Sequence, residues 1–291
     1  MNWLSILLYL LIFLGVLLVA FSVFVAYKMV KPPRFTADWT PKDLGFDYED
    51  VEFTTEDGLR LSGWWIDNES EKTVIPLHGY TRSRWDDVYM KPVTEFLLKE
   101  GYNVLTFDFR AHGKSEGKYT SAGEYEIRDV KAAVEWLRKN HPDRAKKIGV
   151  VGFSMGALLA IRALAEIPDV DCGVADSPPV YMDRTSARSL KYFASLPEWL
   201  YYLVKPFSRL FSKAPEGAIR YAKSVKKPLL LIQGNKDPLI RVEEVREFYE
   251  INKRINPNVE LWITDAPHVR TLKFHPEEWK SRVREFFKKH L

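Results

Sequence analysis

Residues 148–165 read IGVVGFSMGALLAIRALA, and the fold class follows from how that stretch divides. The first six residues are apolar, small or β-branched, the composition of a buried strand. From Met155 to Ala165 good helix formers predominate. Between them lies Gly152-Phe153-Ser154-Met155-Gly156, with no residues to spare for a loop. A chain that passes from strand to helix across one residue turns so tightly that flanking side chains meet neighbouring backbone, and glycine stands at both flanks. The Ser154 hydroxyl is left exposed beyond the strand end, and the helix N-terminus behind it favours negative charge. Alone, G-x-S-x-G is a weak pattern. Set between a strand and a helix, it reads as a nucleophile elbow.

Working outward, strand and helix signals alternate. A hairpin is predicted over 51–65, turning at Glu56-Asp57-Gly58. Further strands are predicted over 73–77, 102–107, 148–153, 173–175, 228–233 and 259–264. Helices are predicted over 86–99, 122–140, 155–165, 242–251 and 276–290. Near-continuous apolar strands alternating with amphipathic helices imply a mostly parallel sheet covered on both faces. The alternation breaks between Asp176 and Pro228. That stretch holds Tyr181, Tyr192, Phe193, Trp199, Tyr201, Tyr202, Phe207 and Phe211. It reads as ordinary helix packing or as a helical lid, at about 179–226, whose apolar underside lines a substrate pocket.

At the N-terminus, residues 3–27 carry no charge. About 20 apolar residues cross a bilayer core, so residues 1–28 are expected to be a transmembrane anchor. Residues 29–46 are expected to be a Pro-containing spacer, and 47–291 the main domain. Lys28, Lys31 and Arg34 follow the apolar run, whereas a cleaved leader carries its charge before it. That bias also predicts a cytoplasmic location for the domain.

Of 291 residues, 46% are hydrophobic and 28% charged, with a net charge of +4. The main body therefore reads as one globular α/β domain, and no basic stretch interleaved with aromatics points to nucleic acid. The one cysteine, Cys172, excludes an intramolecular disulfide and reads as inert packing. No His/Cys set has metal-ligand spacing; no metal or organic cofactor is expected.

A serine hydroxyl needs a base to take its proton. Of six histidines, His268 follows the last strand, and loops at strand C-terminal ends gather where ligands bind. It is the expected base, whereas His78 reads as a hydrogen-bonding strut. The base needs an acid to orient it. Asp237 follows the PLLLIQ strand, and Asp176 is the rival. Asp265 reads as structural. Donors for an oxyanion are expected from the backbone N–H groups of Met155 and Tyr80, the latter in a loop that turns at Gly79.

From about residue 50 onward the chain resembles the α/β-hydrolase superfamily. The resemblance rests on HGYTRS at 78–83, DFRAHGKS at 108–115, GFSMG at 152–156, GNKDPL at 234–239 and DAPH at 265–268. It is strongest to the branch of esterases, monoacylglycerol-lipase-like enzymes and Bem46-like membrane-anchored proteins. It implies Ser154, Asp237 and His268 as the catalytic triad, with Tyr80 and Met155 at the oxyanion hole and 108–115 as a structural loop. Ala111 stands where many relatives carry glycine. The implied activity is hydrolysis of carboxylic esters with an apolar acyl group, through an acyl-enzyme at a membrane. Thioester, amide or peptide cleavage on the same triad, and a non-catalytic tethered binding module, remain the alternatives.

Overall fold

The computed structural model describes residues 2–291. Its centre is an eight-stranded sheet made of β1 (Glu49–Thr54), β2 (Arg60–Ile66), β3 (Lys72–Leu77), β4 (Asn103–Phe107), β5 (Lys147–Phe153), β6 (Cys172–Asp176), β7 (Leu229–Gly234) and β8 (Val259–Thr264). The order is β1-β2-β4-β3-β5-β6-β7-β8. β2 runs antiparallel to both its neighbours. All other pairings are parallel.

The parallel strands read as unbroken apolar runs because both their faces are covered. In β5, Ile148 and Val150 enter one core while Val151 and Phe153 enter the other. In β7, Leu229 and Leu231 face the first core, and Leu230 and Ile232 the second. α3 (Ile127–Asn140), α4 (Met155–Glu166) and α7 (Val242–Asn252) close the first core. α2 (Met90–Lys99) and α9 (Pro276–His290) close the second. A short α8 (Thr271–Phe274) precedes α9.

Two helices begin later than their periodicity predicts. α2 starts at Met90 instead of residue 86, because the Asp86 carboxylate takes the N–H groups of Val88 and Tyr89 and holds a turn there. α3 starts at Ile127 instead of 122. Residues 120–126 wrap around the Glu126 carboxylate, which accepts from Thr120, Ser121 and Gly123.

α1 (Trp3–Val30) is long and apolar enough to cross a membrane. It runs past residue 28, and the segment behind it is no free spacer. The Arg34 guanidinium donates to the carbonyls of Gly113, Ser115 and Gly117. Trp39 is buried and donates to the Trp85 carbonyl at 2.7 Å. Phe35, Leu44 and Phe46 pack on the second core. The fold thus binds residues that composition alone reads as a spacer.

Between β6 and β7 the chain adds α5 (Met182–Ala194) and α6 (Leu200–Ser208). α6 packs on α1: Val25 and Ala26 meet Leu200, Tyr201 and Val204 in a small cluster of their own.

Candidate active site

The site begins with backbone strain. Ser154 sits between β5 and α4 at φ 54°, ψ −114°, where an L-residue persists only if its surroundings hold it. They do so by close approach. A Cβ on Gly152 would run into the Gly156 carbonyl, and one on Gly156 into the Leu77 and His78 carbonyls. The Ser154 N–H donates to the Asp176 carbonyl at 2.9 Å, which ties the turn to β6.

Ser154, His268 and Asp237 come together across three loops at one sheet edge. The Ser154 Oγ lies 3.0 Å from His268 Nε2. His268 Nδ1 lies 2.7 Å from Asp237 Oδ2. The other Asp237 oxygen accepts from the N–H groups of Leu239 and Ile240 at 2.8 and 3.0 Å. Oδ2 also takes Gln233 Nε2 at 3.2 Å. With its oxygens engaged as acceptors, Asp237 calls for a proton on His268 Nδ1, so Nε2 turns a lone pair toward the serine.

The N–H groups of Tyr80 and Met155, which flank Gly79 and Ser154 in the chain, have no partner among the described residues. Gly79 brings the first of these loops close: a Cβ there would stand 3.5 Å from the Ser154 Cβ and 2.9 Å from the Tyr89 hydroxyl. That hydroxyl accepts the Gly79 N–H at 3.0 Å. The Tyr80 side chain is largely buried, which pushes its phenol up to about 12. Its hydroxyl donates to the Met29 carbonyl of α1 at 2.8 Å.

His78 is a strut. Its Nε2 accepts the Phe109 N–H at 3.0 Å, so Nδ1 carries the proton toward the Gly79 carbonyl at 2.8 Å. Burial, with His112 nearby, holds its pKa well below the usual histidine value. His112 braces the same loop by accepting the Thr81 N–H, and burial lowers its pKa also. The loop 108–115 is organised by Asp108, which takes the Arg84 guanidinium at 2.9 Å and the Lys114 N–H at 3.0 Å. Ala111 adopts φ +63°, the left-handed backbone that glycine tolerates best. Asp265 bonds His275 and Lys236 at the surface.

Asp176, the rival acid, does not reach His268 by a hydrogen bond. It is fully buried at the end of β6, where it accepts from the Ser177 hydroxyl at 3.0 Å. Burial raises its pKa to about 7. Gln233 and Tyr89 support the site without any motif to announce them. Gln233 had one signal, a polar residue ending an otherwise apolar strand beside the Asp237 loop. Tyr89 had none.

The aromatic residues of the 179–226 segment divide between exposed and packed positions. Tyr192, Phe193, Trp199 and Tyr202 point to solvent. Tyr201, Phe207 and Phe211 pack with α1, and Tyr181 packs on the main core. The periodicity marked these helices as apolar; α6 turns its buried face to the N-terminal helix, while Met182 and Arg188 of α5 pack on the main domain. Cys172 is buried and unpaired, and burial pushes its thiol up. Among the described residues no group of three His, Cys, Asp or Glu could hold a metal.

Residues 72–209 match the X-Pro dipeptidyl-peptidase family (S15 family), a stretch that includes Ser154 and ends before β7. The chain is 30% identical to the uncharacterized protein YqkD of Bacillus subtilis over 240 residues, 79% of this chain and 75% of that protein. The Pyrococcus furiosus esterase Pf2001 superposes with a TM-score of 0.83 at 66% identity, covering 91% of this chain and 99% of that one. The Pyrococcus horikoshii acylaminoacyl peptidase shares the fold, with a TM-score of 0.65 at 18% identity, over 89% of this chain and 44% of that one.

Proposed function

The chain belongs to the α/β-hydrolase serine hydrolases, as a hydrolase of the esterase and peptidase kind, and from that premise we propose that it cleaves carboxylic esters with an apolar acyl group at a membrane surface. The observation that carries this reading is the unbroken relay from Asp237 through His268 to the Ser154 hydroxyl. In this reading Ser154 Oγ attacks the ester carbonyl as His268 Nε2 takes its proton. Asp237 holds the imidazole in position and stabilises the imidazolium. The oxyanion takes the free N–H groups of Tyr80 and Met155, each worth about 3 kcal/mol of barrier in such sites. His268 then hands its proton to the leaving alcohol, and water clears the acyl-enzyme through the same base.

Ester rather than amide chemistry is supported by the high identity to the esterase Pf2001. A peptidase reading draws on the S15 family match. The apolar acyl preference is supported by α1, read as a single-pass anchor with the domain on the cytoplasmic side, as the basic residues Lys28, Lys31 and Arg34 favour. The segment between β6 and β7 is read as a lid.

The test is fluorophosphonate labelling of the wild type and Ser154→Ala, then turnover of p-nitrophenyl esters of rising chain length beside aminoacyl p-nitroanilides. Ser154→Ala is expected to abolish labelling and to lower kcat by a factor of about 10⁴ or more. The best ester is expected to carry a medium or long acyl chain. Faster release from the anilides would turn the assignment toward a peptidase, and an unlabelled folded wild type would remove the catalytic reading.

A further inference from the structure

Large apolar side chains exposed on this molecule fall almost entirely in two places. One is α1. The other is the α5–α6 insertion, with Tyr192, Phe193, Trp199, Tyr202, Leu203 and Leu210; elsewhere only Ile255 and Phe274 are so exposed among the described residues. Phe193 and Leu210 keep 72% and 71% of their surface open, which is unusual for a contiguous segment of a water-soluble domain. α6 is apolar on both sides. Leu200, Tyr201 and Val204 face α1, while Tyr202 and Leu203 face outward. Apolar side chains left open on such a helix call for a second apolar medium. Here α1 supplies the first.

The geometry of α1 says what the other medium is. Its 28 residues span about 42 Å at 1.5 Å per residue. The residues of α1 that the domain buries begin at Ser22 and include Val25, Ala26 and Val30. That leaves residues 3–21, about 28 Å, close to the ~30 Å hydrocarbon thickness of a bilayer. The membrane boundary therefore falls at the point where α1 meets α6, with no spacer between.

We propose that the outer face of the α5–α6 insertion is bedded in the headgroup–acyl boundary of the bilayer that α1 enters, with Trp199, Tyr202 and Phe193 as its interfacial anchors. The inference rests on the reading of α1 as a membrane span. The insertion between β6 and β7 is then a membrane-facing surface. Tyr and Trp prefer this depth because their rings are apolar and their polar tips stay wet.

Cys172 is the only cysteine and is buried, so an introduced thiol can be labelled selectively. Full-length Trp199→Cys would carry an environment-sensitive nitrobenzoxadiazole label in phosphatidylcholine/phosphatidylglycerol vesicles. Ile255→Cys, in the loop before β8 at the opposite sheet edge, is the control, and Phe193→Cys a second reporter should Trp199→Cys fail to fold. Turnover of a short soluble ester reports folding. The expected result is a blue-shifted emission at 199, quenched by more than half by lipids spin-labelled near the headgroup, with little change at 255. Protein that floats with vesicles but is unquenched at 199 and 193 overturns the proposal and leaves the anchor reading standing. Protein that fails to float overturns both. A shift that follows protein density in place of spin-labelled lipid assigns the face to a second copy of the chain and overturns the proposal.

Discussion

Around the sheet edge that holds Ser154 and His268, Thr81, Ser154, Ser177 and Val269 hold left-handed backbone at φ 64°, 54°, 57° and 49°. Such positions cost about 1–3 kcal/mol each and persist where neighbours over-determine them. Val269 is the most informative, since β-branching makes that backbone a true outlier. It follows His268 directly, and its N–H donates to the Ser177 hydroxyl at 3.2 Å. Val269→Gly is expected to relax the turn that aims the imidazole, lowering kcat by about tenfold with KM unchanged; steady-state kinetics on a short ester checks this. Asp176 offers a pH test. Burial raises its pKa from near 3.8 to about 7, so the folded state holds that proton more tightly than the unfolded chain. Its presence lowers stability progressively as pH rises from about 4 to about 7. Asp176→Asn should therefore match the wild type near pH 4 and exceed it at pH 8 by at most about 4 kcal/mol, read from urea midpoints at both pH values. At this scale the meeting of Ser154, His268 and Asp237 at one sheet edge was legible, because chemistry restricts the residue types and chain order of such a set. Asp176 was visible only as a rival acid, since nothing in its local sequence tells a buried carboxyl from an oriented one.

Elements were legible where hydrophobic period decides them, and shifted where a single side chain captures backbone donors. β8 and α9 match their predicted ranges of 259–264 and 276–290. α2 and α3 lose their expected first turns to Asp86 and Glu126, an outcome that propensity, which counts residues without their partners, does not register. The attachment of α5 was hidden for the same reason. Arg188 on α5 meets Glu244 on α7 at 2.5 and 3.1 Å and donates to the Leu239 carbonyl at 2.8 Å, two residues from Asp237. Both side chains are buried. Breaking a buried pair strands a charge, whereas replacing both partners with apolar groups is nearly neutral. Arg188→Ala is expected to destabilise by about 3–5 kcal/mol, and Arg188→Met with Glu244→Leu to recover most of it. Chemical denaturation of the single and double variants checks both.

For the molecule as a whole, α1 is part of the domain's own packing. Its last turns are shared with the domain: Ala26 is fully buried against α6, the Val30 carbonyl accepts the Thr120 N–H at 2.8 Å, and the Met29 carbonyl accepts the Tyr80 hydroxyl. The residue read as an oxyanion donor is thus held from one side by the helix read as an anchor. Composition showed that the helix exists and could not show this, because an apolar segment reads alike whether it meets lipid or protein. Ala26→Trp separates the two roles. Residues 3–21 are untouched, so flotation with vesicles is expected to be unchanged. Forcing an indole into a closed seam costs about 1–3 kcal/mol of packing, enough to lift α1 from α6 and draw Met29 from Tyr80. Turnover of a short soluble ester should then fall several-fold in kcat with KM little changed, because the loss is of transition-state positioning and not of substrate binding. Phe13→Trp, on the open stretch of the same helix, makes the matched control and should leave kcat alone. Equal kcat in the two variants would reduce α1 to a tether, and a raised KM with kcat intact would move its contribution from the oxyanion loop to the substrate's path in.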